Sequence, residues 1–270
     1  VAASQSELSM AATCRLWGIP MRIIVALLVL CAGAEAAADS REVRFDAVDG
    51  VTVYGDLYRA TGKGDDAPLI LLFHQGGGDA RGEYLPLVDR LLDAGYHALA
   101  IDQRRGGDRF GSVNRTASAF GDQDMSYCDA YPDLEAALRF ASTSGFSGPR
   151  IVWGSSYSAA LVIKLAAEHA EDIDAVLAFS PASGDAMSDC RPEAYAAALE
   201  QPLLVLRPIG EMDVPSVPPQ MQAFREQGHQ TYVADPGVHG SSMLNPERVG
   251  ADTGQTWAVV MRFIETAVAN

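Results

Sequence analysis

Arg150-Ile151-Val152-Trp153-Gly154-Ser155-Ser156-Tyr157-Ser158 is the stretch on which the reading of this chain turns. An apolar run leads into small residues around a serine, and residues 159–170 then read as a helix. Strand, tight turn, helix is the pattern of a nucleophile elbow. In such a turn the residues two positions either side of the serine must be small, or their side chains collide. In return the hydroxyl projects above the sheet edge. The following backbone N–H and the helix N-terminus face any negative charge that develops there. Glycine is usual at the last position; Ser158 stands there instead, and it is small enough. By itself the pentapeptide also fits an ordinary buried helix start, so the rest of the chain has to decide.

Outward from this stretch, the pattern is alternation. A hairpin is expected at residues 43–47 and 51–58 across Asp49-Gly50. The fully apolar run 69–73 reads as a strand buried on both faces. Helix 84–94, strand 97–101, helix 132–142, strand 151–153, helix 159–170 and strand 175–179 follow. Helix 193–199, strand 203–206, helix 218–227, strand 230–233 and helix 256–268 complete the chain. An antiparallel start followed by alternating strands and helices implies a mostly parallel sheet with helices on both faces. Ligands bind such sheets at the carboxyl ends of the strands. No internal repeat or second domain is visible, so residues 39–270 are read as one domain.

The chemistry-bearing residues fall at those strand ends. Asp213 follows strand 203–206, with Glu211 a nearby competitor, and His239 lies between glycine-flanked loop positions after strand 230–233. Ser156, Asp213, His239 is the nucleophile–acid–base order that accompanies a strand-turn-helix nucleophile. A serine hydroxyl attacks poorly until an imidazole takes its proton, and a carboxylate must orient that imidazole. The other histidines, His74, His97, His169 and His229, sit where packing or solvent explains them. After strand 69–73 comes His74-Gln75-Gly76-Gly77-Gly78. There the N–H of Gly76 or Gln75 would join that of Tyr157 in an oxyanion hole. As a dinucleotide loop, Gly76, Gly78 and Gly82 have one residue too many for G-x-G-x-x-G. Arg104, Arg105 and Arg109 either bind a substrate carboxylate or pair with local aspartates such as Asp102 and Asp108.

Residues 21–38 read as a secretory signal, with Met21-Arg22, an apolar stretch 23–32 and Ala36-Ala37-Ala38 as the cleavage site. Residues 1–20 are set aside as an upstream extension. The expected location is therefore exported, periplasmic or secreted, with no stable membrane anchor after cleavage. The net charge of −15 argues against nucleic acid or an anionic membrane as partner. Of four cysteines, Cys128 and Cys190 remain past residue 38. They lie in loops 103–130 and 180–192, and a disulfide or two separate thiols are the alternatives, the disulfide being expected. Asn114-Arg115-Thr116 matches a glycosylation pattern and is read as chance.

On His74-Gln75-Gly76-Gly77-Gly78, Gly154-Ser155-Ser156-Tyr157-Ser158, Gly210-Glu211-Met212-Asp213 and His239-Gly240, the chain resembles an α/β-hydrolase over essentially its whole length after the signal. It is most similar to the compact dienelactone-hydrolase-like proteins and small serine esterases, which have little or no lid. The resemblance implies Ser156 as nucleophile, Asp213 as acid, His239 as base and the glycine loop as oxyanion hole. Dienelactone hydrolases proper use a cysteine nucleophile, so their substrate class does not transfer. The expected activity is cleavage of a small-molecule carboxylic ester through an acyl-enzyme, with no metal or organic cofactor. Peptidase, thioesterase and acyltransferase activities on the same residues stay open, as does a non-catalytic binding protein. Oligomeric state and substrate identity are not legible.

Overall fold

Eight strands and eight helices, described in a computed structural model over residues 40–121 and 125–269, alternate along the chain. The expected signal at 21–38 and the segment 1–20 lie outside the described residues. The strands are β1 (Ser40–Asp46), β2 (Thr52–Tyr58), β3 (Leu69–Phe73) and β4 (His97–Asp102). They continue with β5 (Arg150–Ser155), β6 (Ala175–Phe179), β7 (Leu203–Pro208) and β8 (Gln230–Ala234). The helices are α1 (Ala80–Asp93), α2 (Arg115–Phe120), α3 (Tyr131–Thr143) and α4 (Tyr157–Glu168). After them come α5 (Pro192–Ala196), α6 (Val217–Glu226), α7 (Pro246–Val249) and α8 (Gly254–Val268).

One sheet results, in the order β1-β2-β4-β3-β5-β6-β7-β8. β1 and β2 pair antiparallel, as do β2 and β4; every other pair is parallel. The swap of β3 and β4 puts β3 at the centre, beside β5, with Phe73 opposite Gly154. The glycine loop after β3 and the turn at Ser156 therefore leave neighbouring strands at the same level.

Alternation along each strand divides the core into two layers. Leu69, Leu71 and Phe73 of β3 join Val152, Val176 and Val205 under α3, α4 and α6. Ile70 and Leu72 join Trp153, Leu177 and Phe179 under α1 and α8. Trp153 stacks on Phe179 at 4.5 Å between ring centres and donates its indole N–H to Ser241 Oγ at 2.8 Å. A continuous apolar run is what a strand covered on both faces requires. All five residues of β3 are buried.

The sequence reading did not anticipate α2. Its residues lack a long apolar face, and the helix is held from outside. Asn114 caps it by accepting from Ala117 N at 2.7 Å. Arg115 reaches two buried carboxylates, Asp102 at 2.6 Å and Asp56 at 2.8 Å. Thr116 Oγ1 accepts from Tyr54 N at 2.9 Å. The glycosylation-like triplet is thus a structural element: the Asn114 amide is buried and donates to Gln103 O at 2.9 Å.

Candidate active site

Ser156 sits between β5 and α4 with φ 62 and ψ −119, in the left-handed half of the map. A non-glycine residue held there signals strain that the surroundings must over-determine. They do so by close approach: a Cβ on Gly154 would lie 2.3 Å from Ser158 O. Backbone bonds lock the turn, Ser156 N donating to Phe179 O and Ala182 N donating to Ser156 O. Ser158 is more than a tolerated small residue. Its buried hydroxyl donates to His74 O at 2.6 Å and accepts from Gln103 Nε2 at 2.5 Å. It ties the elbow to the loop after β3.

His239 lies in the loop after β8. Ser241 N donates to Ser155 Oγ at 2.9 Å, fixing that loop against the elbow. Gly240 permits the approach, since a Cβ there would lie 2.3 Å from Ser155 Oγ, and its φ is +69. His239 is half-exposed and donates from Nδ1 to Glu211 Oε1 at 2.5 Å. Among the described residues the Ser156 hydroxyl makes no hydrogen bond, to His239 or otherwise.

The carboxylate on His239 is Glu211, not the expected Asp213. Both lie in a 3₁₀ turn after β7, Ile209–Asp213. Asp213, at the end of that turn, is exposed and has no ion pair among the described residues. Glu211 is turned back over the strand end. There it accepts from Arg207 Nη1 at 2.6 Å and from Ser180 Oγ at 3.0 Å. Ser180, itself at φ 51, also accepts from Gly240 N at 3.1 Å, so one hydroxyl links Glu211 to the loop of His239. Arg207 is buried and further held by Gln220 Oε1 at 2.5 Å and by Pro181 O. Burial pushes the Glu211 carboxyl up, but hydrogen bonds and charge from His239 and Arg207 outweigh it and hold it below its ordinary value. Glu211 is accordingly ionised where a histidine base works.

On the oxyanion side the structure separates the candidates. Gln75 N donates to Glu83 Oε2 at 2.7 Å, so this N–H is committed to the protein. Gly76 N and Tyr157 N have no partner among the described residues; Tyr157 opens α4, where no intrahelical acceptor exists. His74 braces the loop, donating from Nδ1 to Gln75 O at 2.9 Å and accepting at Nε2 from Gln103 N at 3.0 Å. Tyr127 covers this corner. Its ring stacks on Tyr157 at 4.8 Å, and its phenol edge would lie 3.1 Å from a Cβ on Gly76. The next residue, Cys128, is disulfide-bonded to Cys190, with Cα atoms 5.9 Å apart.

Of the three arginines, Arg104 is spent on the fold. It is buried and pairs with Asp133 at 2.7 Å and Asp49 at 2.5 Å, while Asp102 is taken by Arg115. Arg105 and Arg109 have no ion pair among the described residues. Sequence reasoning missed Arg207, Ser180, Ser155 and Tyr127 as parts of the site. Their contacts are long-range, and an i,i+4 spacing of Arg207 and Glu211 was the one local signal.

Comparison with known proteins agrees with this architecture. The family model described as "Serine aminopeptidase, S33" matches residues 65–245. A search of curated proteins found no match. Among solved structures, an esterase of Pyrococcus furiosus aligns with TM-score 0.63 at 17% identity, covering 86% of this chain and 92% of that one. Est1E of Butyrivibrio proteoclasticus, with ferulic acid bound, aligns with TM-score 0.64 at 16% identity, covering 84% and 100%. A protein of Klebsiella pneumoniae assigned as a dienelactone hydrolase aligns with TM-score 0.56 at 18% identity, covering 73% and 85%. At these identities the structures speak for the fold alone. The strand-turn-helix at Ser156, the His239 loop after the last strand and a family match over more than half of the chain carry one conclusion: this protein belongs to the serine aminopeptidase S33 family of α/β-hydrolases.

Proposed function

We propose that the protein is a serine hydrolase that cleaves small carboxylic esters, with Ser156, His239 and Glu211 as its triad. The observation that carries this is the His239 Nδ1 to Glu211 hydrogen bond in a loop pinned to the elbow through Ser155. With Nδ1 engaged, Nε2 is the ring nitrogen left to take a proton. Ser156 Oγ attacks the acyl carbon as His239 removes its proton. The carbonyl oxygen takes up the charge between Gly76 N–H and Tyr157 N–H. One such donor is typically worth about 3 kcal/mol of barrier. Collapse expels the alcohol, which takes the proton back from His239. Water, deprotonated by His239, then releases the acid from Ser156.

Esterases and acylaminoacyl peptidases both stand among the structural neighbours, so the ester reading rests on the resemblance to small serine esterases. The family's own description makes an aminopeptidase the second reading. The Cys128–Cys190 bridge supports an oxidising, exported location. Hydrolysis of p-nitrophenyl acetate and butyrate tests the first reading. Ser156→Ala should lower turnover by several orders of magnitude, and unchanged turnover would end it. Aminoacyl p-nitroanilides test the second.

A further inference from the structure

Gln75, in the glycine loop after β3, has both of its flanking peptide groups held. In the peptide joining His74 to Gln75, His74 O accepts from Ser158 Oγ at 2.6 Å and Gln75 N donates to Glu83 Oε2 at 2.7 Å. In the peptide joining Gln75 to Gly76, Gln75 O accepts from His74 Nδ1 at 2.9 Å and from Gly78 N at 3.0 Å. A trans peptide is planar and sets its N–H opposite its C=O. With Gln75 O turned into its own loop, the Gly76 N–H points away from it. Of the four groups in these two peptides, that N–H alone has no partner among the described residues.

The Gln75 side chain repeats the contact with α1, Nε2 donating to Glu83 Oε1 at 3.2 Å. Glu83 is fully buried, and among the described residues its two oxygens accept from Gln75 alone. The other buried acids serve the fold. Asp56, Asp102 and Asp133 each pair with an arginine, and Asp79 caps α1 by accepting from Gly82 N at 2.7 Å. Burying a carboxyl group without an ion pair is costly, so its placement against one loop residue calls for a reason. A carboxylate offers two acceptors to two donors, whereas an amide in its place would set an NH₂ against one of them. Gln75 also borders the loop of His239, since Nε2 would lie 3.2 Å from a Cβ on Gly240. Arg248 ties the first turn of α1 to the same loop, donating to Gly82 O at 2.5 Å and to Ser242 Oγ at 3.0 Å.

We propose that Glu83 is a positioning residue: through Gln75 it fixes the peptide planes that aim the Gly76 N–H at the charge developing on the substrate carbonyl. That role rests on the ester-hydrolase reading; the bonds from Gln75 to Glu83 do not. The N–H meets the oxygen most strongly as it becomes charged, so loss of aim falls on kcat rather than on KM.

Steady-state kinetics on p-nitrophenyl butyrate and hydrogen exchange by mass spectrometry over residues 73–79 test it. Glu83→Gln should lower kcat about 10–100-fold, as a misplaced contact does, with KM within about threefold. Residues 73–79 should exchange faster in that variant. Tyr84→Phe is the control, because it deletes the bond from the next residue of α1 to Phe73 O at 2.6 Å. It should lose stability but keep kcat within about threefold. Gln75→Met removes the side-chain bond alone and should lower kcat about fivefold, which carries the test if Glu83→Gln does not fold. A kcat within twofold of wild type in Glu83→Gln, or in Gln75→Met where only that variant folds, overturns the role. An equal loss in Tyr84→Phe overturns it too, as does unchanged exchange at 73–79. If the wild type turns over no ester while Glu83→Gln still exchanges faster there, the ester-hydrolase reading falls and the hold of Glu83 on the loop stands.

Discussion

The turn that carries Ser156 and the turn that carries Glu211 leave the sheet at the same edge, yet they are held by different forces. At the elbow, volume decides. Gly154 has no space for a methyl group, and the serine keeps φ 62 because its backbone is bonded at both ends. At the acid turn, charge decides. Glu211 is placed by Arg207, Ser180 and His239. A steric constraint tolerates no larger side chain at its tightest position, whereas an electrostatic one can move by a residue or two if its partners move with it.

The largest test of that contrast is at the acid turn. Glu211→Gln keeps the shape but loses the charge, and should lower kcat about 10³–10⁴-fold. Asp213→Asn should leave kcat within about twofold. The reverse result, from steady-state kinetics on one ester, would return the acid role to Asp213. At the elbow, Gly154→Ala should cost on the order of 3 kcal/mol in urea unfolding, the range of an overpacked core. A variant as stable as the wild type would show that the turn yields. Ser158→Gly restores the usual small residue but drops two buried hydrogen bonds. It should destabilise by about 1–2 kcal/mol, and a neutral or stabilising outcome would reduce Ser158 to a spacer.

The smallest effect is in pH. Glu211 has a folded-state pKa below its unfolded value of 4.5, so its contribution is present above 4.5 and is lost as pH falls through the folded value. Stability curves of wild type and Glu211→Gln should therefore converge on the acid side. Parallel curves down to the acid limit would detach Glu211 from the charge network.

The same contrast explains what could be read in advance. The parallel strands, the elbow and His239 are written in short apolar runs and in glycines at sharp turns, because backbone sterics act over a few residues. β3 came out residue for residue, and the expected strand 151–153 is the middle of β5. The choice between Glu211 and Asp213 did not, since it depends on Ser180, separated by 31 residues from Glu211, and on a turn that points one side chain inward and the other to water. Gln75 misled for a similar reason. Only the position of Glu83 on α1 reveals that its N–H is already taken. The helix α2 is held by Asp56 and Asp102, both on other elements, and its own composition says little.

The Cys128–Cys190 bridge spans a sequence separation of 62, and the segment it encloses contains β5, Ser156, α4 and β6. A protease that nicks the chain once inside that ring would leave its two fragments covalently joined. They would run apart only after thiol treatment. The strand that leads into Ser156 therefore stays leashed to its neighbours through damage that would otherwise let it drift away.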